Sequence, residues 1–165
     1  LHSDTVFSFD NGTFTPRYIF KQGEAKYTPD LRVEYIFKNR EKIIIQKNAF
    51  ESKNYLFYQY DWKSRDNFFI KNKSNGTQYL IDNGTGLVND LDNGPNFKIQ
   101  NTVTVDGTEY LISWIDAFEL TAQVASDELK NSTPKYPEKK KELEKLANSL
   151  NENDNPVLML VKLKN

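Results

Sequence analysis

At 165 residues the chain is the size of one domain, long enough to bury about 70% of the surface its unfolded form exposes. Its 22 basic and 23 acidic residues are interspersed and leave a net charge of −1, so the clustered Lys and Arg that release counterions from phosphates are missing and nucleic acid is not an expected partner. No apolar run approaches the roughly 20 residues that cross a bilayer, and the lack of cysteine removes disulfides, thiol catalysis and Cys-based zinc together.

Asp4 to Phe9 and Thr13 to Phe20 flank Asp10-Asn11-Gly12, and Asn-Gly is a strong hairpin signal because both central residues need positive φ. Pro16 has no amide to donate, which places its strand at an edge or a bulge. After the polar stretch to Pro29, Leu31 and Tyr35 share a helical face that Asp30 could cap, yet alternation through Phe37 reads nearly as well. Ile43 to Phe50, Asn54 to Trp62, Asn67 to Asn72 and Thr77 to Ile81 follow as four strands with short turns, the build of one antiparallel propeller blade. Asp82 to Pro95 reads as a polar surface loop. Phe97 to Val105 and Glu109 to Ile115 pair across Asp106-Gly107.

The last third changes period. Ala117 to Leu129 and Pro137 to Leu150 place apolar residues at helical spacing, with Pro137 at a helix start and Lys139, Lys140, Lys141 and Lys145 on a solvated face. Val157 to Leu163 closes the chain as an apolar strand expected to be buried on both faces.

A small polar pair before an extended apolar stretch recurs four times, at Ser3-Asp4-Thr5, Lys53-Asn54-Tyr55, Thr108-Glu109-Tyr110 and Asp154-Asn155-Pro156. The spacing of roughly 50 residues suits a propeller blade per repeat. The fold class expected is therefore mainly β, a partial β-propeller with two helices before the C-terminal strand. One domain spans residues 1–165: a blade remnant at 1–28, a complete blade at 43–82, and a last blade at 96–165 carrying a helical insertion at 117–151.

Several residues invite a chemical reading. Asn89, Asp90, Asp92 and Asn93 before Gly94 alternate carboxylates with amides, the oxygen-rich chemistry Ca²⁺ favours; Asx residues also staple turns unaided. The run is one residue short of an EF-hand loop and lacks its distal Glu. Asp116 with Glu119, or Asp61 with Asp66, offer carboxylate pairs for acid/base work, and equally suit caps and turns. Trp62 and Trp114 could stack on sugar rings or simply pack in strands. His2 stands beside the terminus and is not expected to act as a base. No G-x-S-x-G elbow is present, and no catalytic residue or resident cofactor is assigned.

Ser3-Asp4-Thr5-Val6 with Thr15-Pro16-Arg17-Tyr18-Ile19, Glu51 to Tyr60, Asn89 to Phe97 and Asn155 to Lys164 together resemble the C-terminal part of exported six-bladed, NHL-like β-propeller proteins of anaerobic gut bacteria. That resemblance implies a ring longer than this chain, hence a C-terminal portion, reaching the periplasm or outer cell surface with a lipid anchor outside these 165 residues. The function expected is a non-enzymatic interaction module for a protein or glycan, with self-association through open blade faces. The alternative is a propeller hydrolase or lyase using acidic residues and a divalent ion.

Overall fold

The structure, a computed structural model, describes residues 4–27 and 33–163. His2, and the Asp30 cap with Leu31, lie outside the described residues. The chain divides into two compact units, 1–84 and 85–165.

In the first unit, β1 (Thr5–Asp10) and β2 (Thr13–Ile19) form a hairpin. Asn11 and Gly12 take φ of 47° and 78° at its tip, as the primed turn requires. The register slips between Val6 and Phe7, opposite Pro16, so the proline sits beside a bulge. The segment that reads two ways from sequence is helical where described, as α1 (Val33–Lys38). Next comes a four-stranded antiparallel meander of β3 (Ile45–Glu51), β4 (Tyr55–Trp62), β5 (Arg65–Asn72) and β6 (Gln78–Asp82). Phe57 and Phe68 are fully buried. Phe50 stacks on the Phe57 ring at 5.0 Å and meets Phe68 edge-on at 5.9 Å, while Phe20 stacks on Tyr58 at 3.8 Å.

Glu51, the last residue of β3, ties the hairpin to the sheet. Its carboxylate accepts from the Tyr18 hydroxyl at 2.8 Å and the Lys73 ammonium at 3.0 Å, and pairs with Arg17. Burial pushes this carboxyl up, but the Tyr18 hydroxyl and the Lys73 and Arg17 cations outweigh it and hold it below its ordinary value. A depressed folded value adds stability above the unfolded carboxylate value of roughly 4.3 and loses it as pH falls through the folded value. Glu51→Gln should therefore cost on the order of 1 kcal/mol at neutral pH. In urea titrations over a pH series the gap from wild type should close on acidification; a gap that stays constant would contradict the pairing.

The second unit opens with an irregular stretch closed by a bridge between Leu87 and Phe97. The expected surface loop is partly inside: Asn83, Gly94 and Pro95 are buried. Strand β7 is shorter than predicted, Asn101–Val105, because Phe97 and Ile99 turn into the core instead of joining the ladder. It pairs with β8 (Thr108–Ile115), which pairs with β9 (Val157–Lys162), giving three strands in the order β7-β8-β9.

Three helices, not two, lie between β8 and β9: α2 (Ala117–Ala125), α3 (Asp127–Asn131) and α4 (Pro137–Asn148). The break falls at Ser126, whose extended backbone ends α2 and whose hydroxyl accepts from the Leu129 amide to start α3. Leu120, Val124, Leu129 and Ala147 form the buried cluster, with Ile115, Leu143, Leu150 and Val157 packed against it. Lys140 does not belong to the solvated face. Its ammonium donates to the carbonyls of Leu129, Lys130 and Ser132 at 2.6, 3.1 and 2.9 Å, capping the C-terminal end of α3.

The doubly buried reading of β9 is also corrected. As the last strand of its sheet it has one neighbour, and Leu158 and Leu160 are 59% and 48% exposed. The four recurring phrases mark the entries of β1, β4, β8 and β9, which occupy different positions in their sheets. A polar pair before an apolar run is strand-entry chemistry, so its recurrence fixes no single place in a repeat.

Candidate functional site

The second unit carries a groove of about 450 Å³ running along β9, walled by the 87–97 stretch and by Leu143 and Leu146 of α4. The phase of the β8–β9 ladder is set by the bond from the Leu163 amide to the Glu109 carbonyl, 2.9 Å. A strand turns successive peptide groups to opposite sides. The amides and carbonyls of Leu158, Leu160 and Lys162 therefore point away from β8, to the open edge. Across β8, Leu158 stands opposite Trp114, Leu160 opposite Ile112 and Lys162 opposite Tyr110, so their side chains share one face. The site thus combines a backbone edge that is unpaired among the described residues with apolar side chains on both sides of it.

The 87–97 wall holds the Asx run. The Asp92 carboxylate oxygen Oδ1 accepts from the Asn89 side-chain amide at 2.7 Å and from the Gly94 amide at 2.8 Å, and Asn89 Oδ1 accepts from the Leu91 amide at 3.3 Å. Asn93 takes φ of 57°. The carbonyls of Asp90 and Leu91 accept from the amides of Lys135 and Tyr136, at 3.1 and 2.9 Å, fixing the approach to α4. Asn89 and Asp92 thus spend their side chains on the turn itself, as Asx residues do without an ion. Among the described residues, no three His, Cys, Asp or Glu side chains gather as a metal-binding group.

Gly94 is where this turn meets α4. A Cβ there would lie 2.6 Å from Leu143 Cδ2 and 2.9 Å from Asp92 Oδ1. Gly94→Ala should lower stability by about 1–3 kcal/mol, the range for overpacking. Combined with Leu143→Ala, which vacates the space, its cost should be smaller than when measured alone; equal costs in the two backgrounds would refute the contact.

Asp61 and Asp66 face each other across β4 and β5, in the paired strands rather than in an exposed turn. Lys47 bridges them at 3.3 and 3.2 Å, and Asp66 also accepts from Gln59 and from the buried Asn83. The Lys47 ammonium is disfavoured by burial, yet its two carboxylates more than offset this and hold it above its ordinary value. Asp116 occupies the N-cap position of α2, with Glu119 in the first turn, both exposed. Carboxylates there are stabilised by the helix dipole. Trp62 is 37% exposed and has the Lys63 ammonium 4.6 Å over its ring. Trp114 is 52% exposed, on the β8 face shared with Leu158.

Sequence reasoning missed the open edge of β9. Exposure alternates along Val157 to Leu160, but the sequence there is an unbroken apolar run that carries no trace of the alternation. Among the described residues no helix is long and apolar enough to cross a membrane.

A crystal structure of a Bacteroides fragilis protein, named as a candidate exported protein, resembles the chain with a TM-score of 0.48 and 14% identity, covering 99% of this chain and 46% of that one. The chain thus spans about half the length of that protein. No curated protein matches. The model of DUF4934, a domain of unknown function, matches residues 1–162, and the chain belongs to that family.

Proposed function

We propose that the chain is a non-enzymatic interaction module, part of a β-propeller in an exported protein, that captures a partner protein by adding one of its strands to β9. The observation that carries this reading is the open edge at Leu158, Leu160 and Lys162 beside an apolar groove. Strand addition draws affinity from main-chain hydrogen bonds and specificity from alternate side chains entering pockets. Both ingredients are present here. The chain also supplies its own comparison, because among the described residues β5, third in its sheet, has a neighbour on each side and β9, third in the order β7-β8-β9, has one. Propeller parentage and export are supported by the four-stranded meander and by the sequence resemblance at Asn89 to Phe97 and Asn155 to Lys164.

Leu160→Pro is the decisive variant. Its amide points outward, so proline removes no bond to β8 but blocks an incoming strand, a placement edge strands accept. A photo-crosslinking residue placed at Leu158, in the protein expressed by its own host, should give one discrete adduct with a partner protein. The adduct should vanish in Leu160→Pro while the far-ultraviolet circular dichroism stays native. An adduct that survives the proline, or none at all, overturns strand addition.

A further inference from the structure

The chain contains four Asn-Gly pairs, at Asn11, Asn75, Asn83 and Asn93. This dipeptide carries its own chemistry. The backbone nitrogen of the glycine, unhindered because no Cβ flanks it, can attack the asparagine side-chain carbonyl. A C–N bond forms, the C–N bond to the side-chain NH₂ breaks, and ammonia leaves with the glycine's proton. Water then opens the five-membered imide at either carbonyl, giving aspartate or isoaspartate. Water is the sole co-reactant and no electrons change hands.

Ring closure needs a free glycine N–H and a backbone that can swing, and at three of the four pairs the fold engages that N–H in a hydrogen bond. The Gly76 amide donates to the Asn72 carbonyl at 3.0 Å, and Asn75 Oδ1 accepts from the Thr77 amide at 2.9 Å. The Gly84 amide donates to Asp82 Oδ1 at 3.0 Å, and Asn83 is 3% exposed with its side chain on Asp66. The Gly94 amide donates to Asp92 Oδ1 at 2.8 Å, in a glycine wedged against Leu143. Asn11-Gly12 differs from Asn83-Gly84 and Asn93-Gly94 in exposure and crowding, and from the equally exposed and uncrowded Asn75-Gly76 in its hydrogen bonding. Both residues are exposed, the Gly12 amide has no hydrogen-bond partner among the described residues, and nothing stands within 4 Å of where its Cβ would be. The pair also tips the exposed end of the hairpin, from Phe9 to Phe14, while the contacts to Glu51 are made from Arg17 and Tyr18 further along β2, so the tip opens locally at little cost.

We infer that Asn11 is a site of spontaneous deamidation in the folded protein and that the fold shields Asn75, Asn83 and Asn93. The consequence is local. Either product adds a negative charge beside Asp10, and isoaspartate also lengthens the backbone by one carbon in a turn that must join Asp10 to Thr13. The hairpin carrying Phe7, Phe9 and Phe14 loosens, and those three exposed rings lose their fixed spacing.

The test is incubation of the purified chain in mildly alkaline heavy-oxygen water, followed by peptide mapping. Folded protein should take up label at residue 11 at least about tenfold faster than at residues 75, 83 and 93, the difference reflecting unequal local opening. In strong denaturant the four rates should converge to within a few-fold, because all four then share the same dipeptide chemistry. Hydrogen exchange at Ser8 and Thr15, the hydrogen-bonded pair two residues back from Asp10 and Thr13, should quicken in the labelled fraction. Equal native rates at the four sites, or a native rate led by any other asparagine, overturns the inference; so does an Asn11 that stays unlabelled while denatured chain reacts.

Discussion

Phe68→Ala should destabilise the first unit by about 3–5 kcal/mol, the range for removing a large aromatic from a well-packed core. Phe68 is inaccessible to solvent, sits on the inner strand β5, and lies between Gln59 of β4 and Ile81 of β6 in the register. Its ring meets Phe50 edge-on, and Phe50 in turn stacks on Phe57, so the deletion strips the Phe50 ring of one of its two ring contacts. β5 is paired along both edges and cannot shift to fill the void without breaking two ladders. The matched control is Leu80→Ala on β6, an exposed residue whose loss should stay within about 0.5 kcal/mol. Exchange rates of β4 and β5 amides in native buffer give both numbers without requiring the whole chain to unfold in one step. Comparable costs for the two variants would mean that the packed face of the sheet has been misplaced.

What the sequence disclosed was governed by how local the determining physics is. Asn11-Gly12 and Asp106-Gly107 were legible as turns because positive φ selects those residues within a four-residue window, and the structure has Asp106 and Gly107 at 48° and 74°. Lys63 and Ser64 make an equally tight turn, at 53° and 59°, from residues that carry no such signal; the ladder from Tyr55 to Asn72 imposes it. The break between α2 and α3 was readable in principle, since Ser126 before Asp127 and Glu128 is a preferred helix start, but the apolar spacing of Leu120, Val124 and Leu129 carried through it unbroken.

Pairing partners distant in sequence were the hidden part. Nothing near Lys140 announces that α3 will end within reach of its ammonium, and nothing near Asp61 announces Lys47. The candidate site follows the same rule. The Asx run at Asn89 to Asn93 stood out, and the side chains of Asn89 and Asp92 within it hold the turn that builds the groove wall, whereas the open edge depends on which strand β9 lacks, a property of the sheet as a whole.

Leu120→Ala joins the stability of the second unit to the proposed site. Leu120 is buried at the centre of the helical cluster and lies on the floor of the groove beside β9. Truncation should cost about 2–5 kcal/mol, toward the upper part if Ile115, Leu143 and Val157 cannot close over the space, since the penalty grows with the cavity left. Leu146→Ala, on the exposed rim of the same groove, removes a similar side chain where water already reaches it and should cost less than about 1 kcal/mol. The two variants separate holding the fold from holding a partner. Leu120→Ala should lower the urea midpoint sharply; Leu146→Ala should leave the midpoint nearly unchanged while reducing the yield of the Leu158 photo-adduct, because rim contacts are made only when a strand is seated. If Leu146→Ala costs as much stability as Leu120→Ala, the groove is collapsed in solution and α4 packs directly on β9, leaving no room for an added strand.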